Sequence, residues 1–274
     1  MVAIAMTREM GTLGKDVAQG LAESLGLKVI HSELVEHDLA TRLGVEDSAV
    51  HRYLEGNASL LERWKIDKSK LSQYTAEEII EIARGGNVII RGWGAVAVLR
   101  AIPHVMRVRV CAPMQFRERV IMQRLGLADA GEARSEIEQN DAAHTRVMRG
   151  VFGVDWENPQ LYHVTLNTGS VPVETCVRVV RLLTDDPAFQ ESEASRAVLA
   201  DKLIQTRAQA VLNALVTDKT INGGLDVAVA AGKVTLSGVI GPGGDLSSAV
   251  DRIGRIDSVR SVDNKVRRVV HTGL

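Results

Sequence analysis

Cysteine and aromatic residues are scarce in this sequence, and long hydrophobic runs are missing. The only two cysteines, Cys111 and Cys176, lie outside any CxxC or Cys/His cluster. That pattern argues against a metal or redox site and makes both expected core thiols. Aromatics make up 3% of 274 residues, so the core has to be built from Val, Ile, Leu, Ala and Met. No segment approaches the roughly 20 apolar residues that a membrane helix needs, which predicts a chain that is not transmembrane. The apolar start at Met1–Met6 is cut off at once by Thr7-Arg8-Glu9 and lacks the basic and apolar regions of a secretory leader, so a cytoplasmic location is expected.

What is present is ordinary for a globular protein: 45% hydrophobic and 24% charged residues exclude a largely disordered chain. A length of 274 residues suits two folded units. The net charge of −1 hides an asymmetry, since residues 196–274 carry 11 Lys/Arg against 7 Asp/Glu and residues 1–195 carry 22 against 27. That excess is too mild to imply a specific nucleic-acid partner.

Short apolar runs at residues 2–6, 28–30, 88–90, 105–111 and 164–167 alternate with helical patterns at 16–25 and 76–84. Strands alternating with helices predict right-handed crossovers and an α/β fold with a parallel sheet flanked by helices. A charged helical stretch, 116–151, carries Arg117, Arg119, Arg124, Arg134, Arg146 and Arg149. By charge alone it is a solvated helical hairpin, but it lies on the side of the sheet where a phosphate loop would open. Residues 185–196 are polar, acidic and contain Pro187, which marks a linker between a first domain at 1–184 and a second at 197–271. The second reads helix, strand, strand, helix, strand, the last strand running over 259–270.

Between the first strand and first helix stands Thr7-Arg8-Glu9-Met10-Gly11-Thr12-Leu13-Gly14-Lys15-Asp16. A helix N-terminus with glycines on its approach can turn backbone N–H groups toward an anion. Gly14-Lys15 matches the end of a P-loop, G-x-x-x-x-G-K-[ST], in which the lysine reaches the outer phosphates. Glu9 stands where the first glycine belongs, and Asp16 where a Mg²⁺-binding Ser/Thr belongs. A glycine turn with a surface lysine is the plain alternative.

The loop resembles that of the cytidylate kinase-like family, with its Ser/Thr-Arg-Glu-x-Gly-x-x-Gly-[Arg/Lys] segment. The resemblance continues through Ile89–Ala95, Val108–Pro113, Phe116–Arg119, Arg124–Leu127, Asp141, Asp155–Pro159, Tyr162 and Leu166–Thr168, covering about residues 2–183. It implies a nucleoside monophosphate kinase fold with a helical lid, which uses ATP and Mg²⁺ to phosphorylate CMP, dCMP or a similar acceptor. It further implies that Arg8, Gly11, Thr12, Leu13, Gly14, Lys15 and Asp16 surround the donor phosphates. Lys15, Arg117, Arg124, Asp141 and Arg146 become candidates for the catalytic set, and Arg91 and Trp93 for the acceptor site.

Three positions depart from the family pattern. Gly92-Trp93 stands for a Gly-Arg pair, Asp141-Ala142-Ala143-His144 for Asp-x-x-Arg, and Ile30-His31 for Tyr-Asp. Arg91 and Arg146 are near enough in sequence to substitute, whereas a histidine cannot reproduce the permanent, bidentate grip of arginine. Two readings therefore stand side by side: a phosphotransferase, and a nucleotide sensor with weak or absent catalysis. A third makes the front domain an oligomerisation scaffold, and self-association of the chain is compatible with all three. His31 and His37, with Glu33 and Glu36 nearby, lack a second cluster, so no metal site is assigned. The tryptophans at 64, 93 and 156 are expected to pack, Trp93 lying beside the acceptor cleft.

Residues 198–270 resemble a BON domain through Gly232–Val239 and Val259–Val266. The resemblance implies binding of a phospholipid, another anionic ligand or a protein. By the period of two, Lys265 and Arg267 fall on one face of the last strand with Arg268 opposite, a pattern that suits an anionic surface and equally an exposed sheet face.

Overall fold

The computed structural model describes residues 1–30, 32–54, 66–92, 94–216, 224–241 and 244–269. They divide into two compact units, Met1–Ser192 and Glu193–Leu274.

The first unit is built on five parallel strands: β1 (Ala3–Arg8), β2 (Lys28–Ile30), β3 (Val88–Arg91), β4 (Val105–Cys111) and β5 (Val164–Asn167). Their order across the sheet is β2-β3-β1-β4-β5, with β1 at the centre. The apolar runs of the sequence are these strands, and they lack alternation because both faces are covered. On one face, Ile4, Met6, Val108, Val110 and Leu166 pack against Val17 and Leu21 of α1 (Gly14–Leu25) and Cys176 and Val180 of α8 (Val173–Thr184). Gly20 permits the close approach of these two helices, since a Cβ there would lie 2.9 Å from Cγ2 of Val177.

The other helices of this unit are α2 (Ser32–Leu43), α3 (Asp47–Leu54), α4 (Lys68–Gly85), α5 (Ala95–Val98), α6 (Met114–Leu125) and α7 (Ala130–Phe152), of which α4 packs against β3 and α5 against β1. Helix α4 begins well before the expected residue 76 because Asp67 caps it, accepting from the amides of Ser69 and Lys70 at 2.8 and 3.2 Å. The charged stretch at 116–151 is two helices, parted where Gly126 takes φ 69° and closes α6. Chain reversal at the carboxyl ends of β1 and β3 leaves a crevice there, the usual ligand position in an open α/β sheet.

The segment expected as a linker, 185–196, is structured over much of its length. Residues Pro187–Phe189 form a 3₁₀ turn capped by Asp186, and Phe189 packs edge-on against His163 at 4.8 Å. The helix of the second unit, α9 (Glu193–Val216), already begins inside it.

The second unit continues with β6 (Leu225–Ala230), β7 (Lys233–Ile240), α10 (Ser247–Gly254), β8 (Ser261–Asn264) and β9 (Arg267–Arg268). The hairpin between β6 and β7 turns on Ala231 and Gly232, both at positive φ, and Asp201 of α9 accepts both turn amides at 2.7 and 2.8 Å. The single strand expected over 259–270 is instead two short ones, each pairing with β7. The break has a local cause: the Asn264 side chain accepts from the Val266 amide at 3.1 Å, bending the chain away from the ladder. Lys265 accordingly lies between the strands, and only Arg267 belongs to one.

Candidate phosphate-binding site

The loop from Glu9 to Leu13 leaves β1 and enters α1 through two left-handed residues, Gly11 at φ 78° and Leu13 at φ 54°. A side chain at Gly11 would collide with the Arg117 carbonyl oxygen at 2.8 Å, so this position combines a glycine conformation with a glycine-sized space. At Gly14 a Cβ would meet the Arg8 side chain at 2.8 Å. No side chain caps α1, so the Gly14 and Lys15 amides of its first turn are left to an anion, while the Asp16 amide donates to the Leu13 carbonyl at 3.0 Å.

Glu9, the residue that spoils the P-loop motif, fastens the loop. Its carboxylate accepts from Nη2 of Arg109 at 2.7 Å and from the Ala112 amide at 3.3 Å, and lies 3.5 Å from Nη1 of Arg117. Its own amide donates to the Val110 carbonyl at 3.1 Å. Thr12 donates its hydroxyl to the Glu9 carbonyl, and Thr168 donates to the Thr12 carbonyl at 2.6 Å.

Three arginines, Arg8, Arg91 and Arg124, lie within electrostatic reach of Lys15 at the loop mouth. Lys15 is held below the ordinary lysine range, first by the Arg8 charge, then by partial burial, then by Arg91 and Arg124, with Asp16 opposing. A lysine depressed by three arginines marks a strongly positive site suited to several phosphate oxygens. Asp16 is exposed beside Lys15 in the first turn of α1. Among the described residues no group of three or more His, Cys, Asp or Glu is assembled around a metal position. One carboxylate beside a phosphate-facing lysine fits a Mg²⁺ ion that arrives with nucleotide phosphates rather than one caged by protein.

Next to the loop opens a cleft of about 160 Å³, lined by Thr7 and Arg8 of β1, Glu36 and Leu54 of α2 and α3, and Arg91 at the end of β3. The facing wall is α7, which presents Asn140, Asp141, His144, Val147 and Met148. Arg117, expected as a lid arginine, is buried and fully engaged. Its Nε donates to the Met10 carbonyl at 2.6 Å, and its Nη2 donates to both oxygens of Asp141 at 2.8 Å. Burial raises the Asp141 carboxyl above its ordinary value, and Arg117 pulls it back. This pair joins the phosphate loop to the cleft wall.

Arg124 is exposed at the end of α6, within electrostatic reach of Lys15. Arg146 lines a different cavity, with Tyr53, Lys68, Thr145 and Arg149. Cys176 is buried in the core as expected, but Cys111 is only half-buried, at the end of β4 where its carbonyl accepts from the Thr168 amide. Trp156 is buried, donating to the Thr145 hydroxyl at 2.8 Å. His37 donates to Asp47 at 2.9 Å. Trp93, Trp64 and His31 lie outside the described residues.

His144 packs edge-on against Trp156 at 4.4 Å, with Nε2 3.5 Å from the Thr7 hydroxyl. Burial, reinforced by Arg8 and Arg109, lowers its pKa to about 4. At neutral pH it is uncharged and offers an acceptor's phosphate no cation. Because its folded pKa lies below the unfolded value near 6.5, the unfolded chain binds the extra proton first. The stability contributed by neutral His144 is therefore complete above about pH 6.5 and is lost as the pH falls toward 4. Its imidazole NMR signals should titrate below pH 5, and His144→Gln should flatten the acid side of a Tm-against-pH curve.

Sequence reasoning missed Thr7, Glu36, Leu54 and Asn140 as cleft residues. The stripe Asn140, Asp141, His144, Val147, Met148 follows the helical repeat, and that spacing was the available signal.

The family model of the cytidylate kinase-like family matches residues 3–170. Cytidylate kinase of Pyrobaculum arsenaticum is 24% identical over 182 residues, and that of Pyrobaculum aerophilum 26% over 179. Each alignment covers 65% of this chain and 90% of the relative. A crystal structure of an uncharacterized protein from Eubacterium ventriosum superposes with a TM-score of 0.52 at 18% identity, covering 68% of this chain and 99% of that one, which shows a common fold. A match across more than half of the sequence, on a parallel α/β sheet with a phosphate loop at its centre, makes this chain a member of the cytidylate kinase-like family.

Proposed function

We propose that the first unit is a nucleoside monophosphate kinase, transferring the γ-phosphoryl of ATP to CMP, dCMP or a similar acceptor. The observation that carries this is the placement of Arg8 and Arg91 in the cleft beside the loop, with Lys15 in the first turn of a helix that no side chain caps. Phosphoryl transfer needs little beyond alignment and neutralisation of charge. Lys15 and the amides after Gly11 hold the donor phosphates, and Arg124 adds charge from the lid side. Arg8 and Arg91, in the adjoining cleft, hold the acceptor phosphate in line. Asp16 is the carboxylate that would hold the water shell of a Mg²⁺ ion bound with the nucleotide, an ion that would supply charge screening for the phosphate oxygens.

Lys15→Ala should weaken ATP binding about 10- to 100-fold, the loss of a charge-assisted contact of roughly 1.5–3 kcal/mol. Calorimetry on the folded variant measures this directly, and an unchanged affinity overturns the loop assignment.

A neutral His144 in the cleft wall favours a second reading, in which the unit binds nucleotide and transfers slowly or not at all. ADP release across the nucleoside monophosphates, run beside ATP binding, separates the two. The second unit, with its helix, strand, strand, helix, strand order, we read as a BON-type module that localises or regulates the first through an anionic ligand or a protein. No helix of the described residues is long and apolar enough to cross a membrane.

A further inference from the structure

The acceptor cleft has two charge characters. Among the described residues that line it, Arg8 and Arg91 provide the cations, while Glu36 and Asp141 are the acids. A phosphate is repelled by the carboxylates and held by the arginines, so the uncharged end of an acceptor has to face the acidic groups. The two acids are not equivalent. Both oxygens of Asp141 already accept from Arg117, an engagement that fixes the loop. Glu36 is 5% exposed on α2, and the His51 ring of α3 donates to its Oε2 at 2.9 Å. That contact fixes the carboxylate and leaves acceptor capacity on a group that lines the cleft.

We propose that Glu36, held by His51, is the specificity residue that selects an acceptor base bearing an exocyclic amino group and rejects one with a carbonyl at that position. This rests on the kinase reading above. An amino group donates to the carboxylate, whereas a carbonyl oxygen confronts it with two acceptors and no proton, leaving a buried charge unsatisfied. Cytosine and uracil differ at this position, so the contact distinguishes CMP from UMP. His51 acts through Glu36 and is a positioning residue.

The test is kcat/KM for CMP and UMP at saturating ATP, in the full chain and in Glu36→Gln, whose amide can rotate to donate to a carbonyl. The wild type should favour CMP, and the CMP-to-UMP ratio should fall about 10- to 100-fold in the variant, mainly through KM, as loss of one hydrogen bond to a charged group predicts. A folded variant with an unchanged ratio overturns the assignment, because a merely structural role would depress both acceptors alike. If Glu36→Gln does not fold, wild-type turnover of a cytidylate analogue lacking the 4-amino group replaces it: a loss of similar size supports the proposal, and equal turnover refutes it. If the wild type transfers to no acceptor, the kinase reading falls by itself. Calorimetric binding of CMP against UMP then tests Glu36 separately, and equal or absent binding overturns it.

Discussion

Arg91→Ala is expected to bind ATP nearly as well as the wild type and to transfer phosphoryl groups about 10²-fold more slowly, the scale of a lost alignment of the acceptor phosphate. Arg91 ends β3, half-buried in the cleft, and burial pulls its guanidinium below the ordinary arginine range. Partial removal from water strengthens its pull on phosphate oxygens. Its contact should tighten as charge spreads in the transition state, so kcat should suffer more than ATP affinity. With His144 neutral and Arg146 lining another cavity, Arg8 and Arg91 are the arginines among the described residues of the cleft. The control follows directly: Arg146→Ala should leave kcat essentially unchanged. Equal losses in the two variants would remove the present assignment of the acceptor site.

Arg117→Ala should be the most damaging substitution for folding. The guanidinium is buried among Glu9, Asp141 and the Met10 carbonyl, and truncation strands two carboxylates and a carbonyl in a poorly hydrated place. Breaking a buried pair from one side costs about 3–5 kcal/mol. At roughly 2–4 °C per kcal/mol for a unit of this size, Tm should fall by on the order of 10 °C. Asp141→Asn, which keeps an acceptor for Arg117, should cost clearly less. Thermal melts of both variants check the comparison, and an Arg117→Ala protein as stable as the Asn variant would show the network to be solvated.

The strands of the first unit were readable because strands buried on both faces leave continuous apolar runs, as in Ile4–Met6 and Val88–Ile90. The loop was readable because glycine at 11 and 14 answers to backbone geometry and close contact rather than to tertiary detail. Helices α2 and α3 were not, since charged residues such as Glu36, His37 and Arg42 interrupt the apolar spacing, and two of these are satisfied only by distant partners. Arg117, a lid candidate by resemblance and a solvated charge by composition, was not legible as a buried strut for the same reason: its partners at positions 9, 10 and 141 are far away in sequence. Arg146 shows the opposite lesson. Proximity to residue 144 in sequence placed it near the cleft, but rotation along α7 turns it to another cavity, a distinction the helical period already contains. The strand break after Asn264 depended on one side chain competing for a backbone amide, which composition does not reveal.

Glu9 gives the phosphate loop an unusual thermodynamic position. In a glycine-rich loop that is free in the empty protein, ordering would be charged against nucleotide affinity. Here the carboxylate is tied to Arg109 and to the Ala112 amide, and its backbone amide to Val110, before any ligand arrives. The conformational entropy is lost during folding, so the nucleotide meets a receptor that is already shaped.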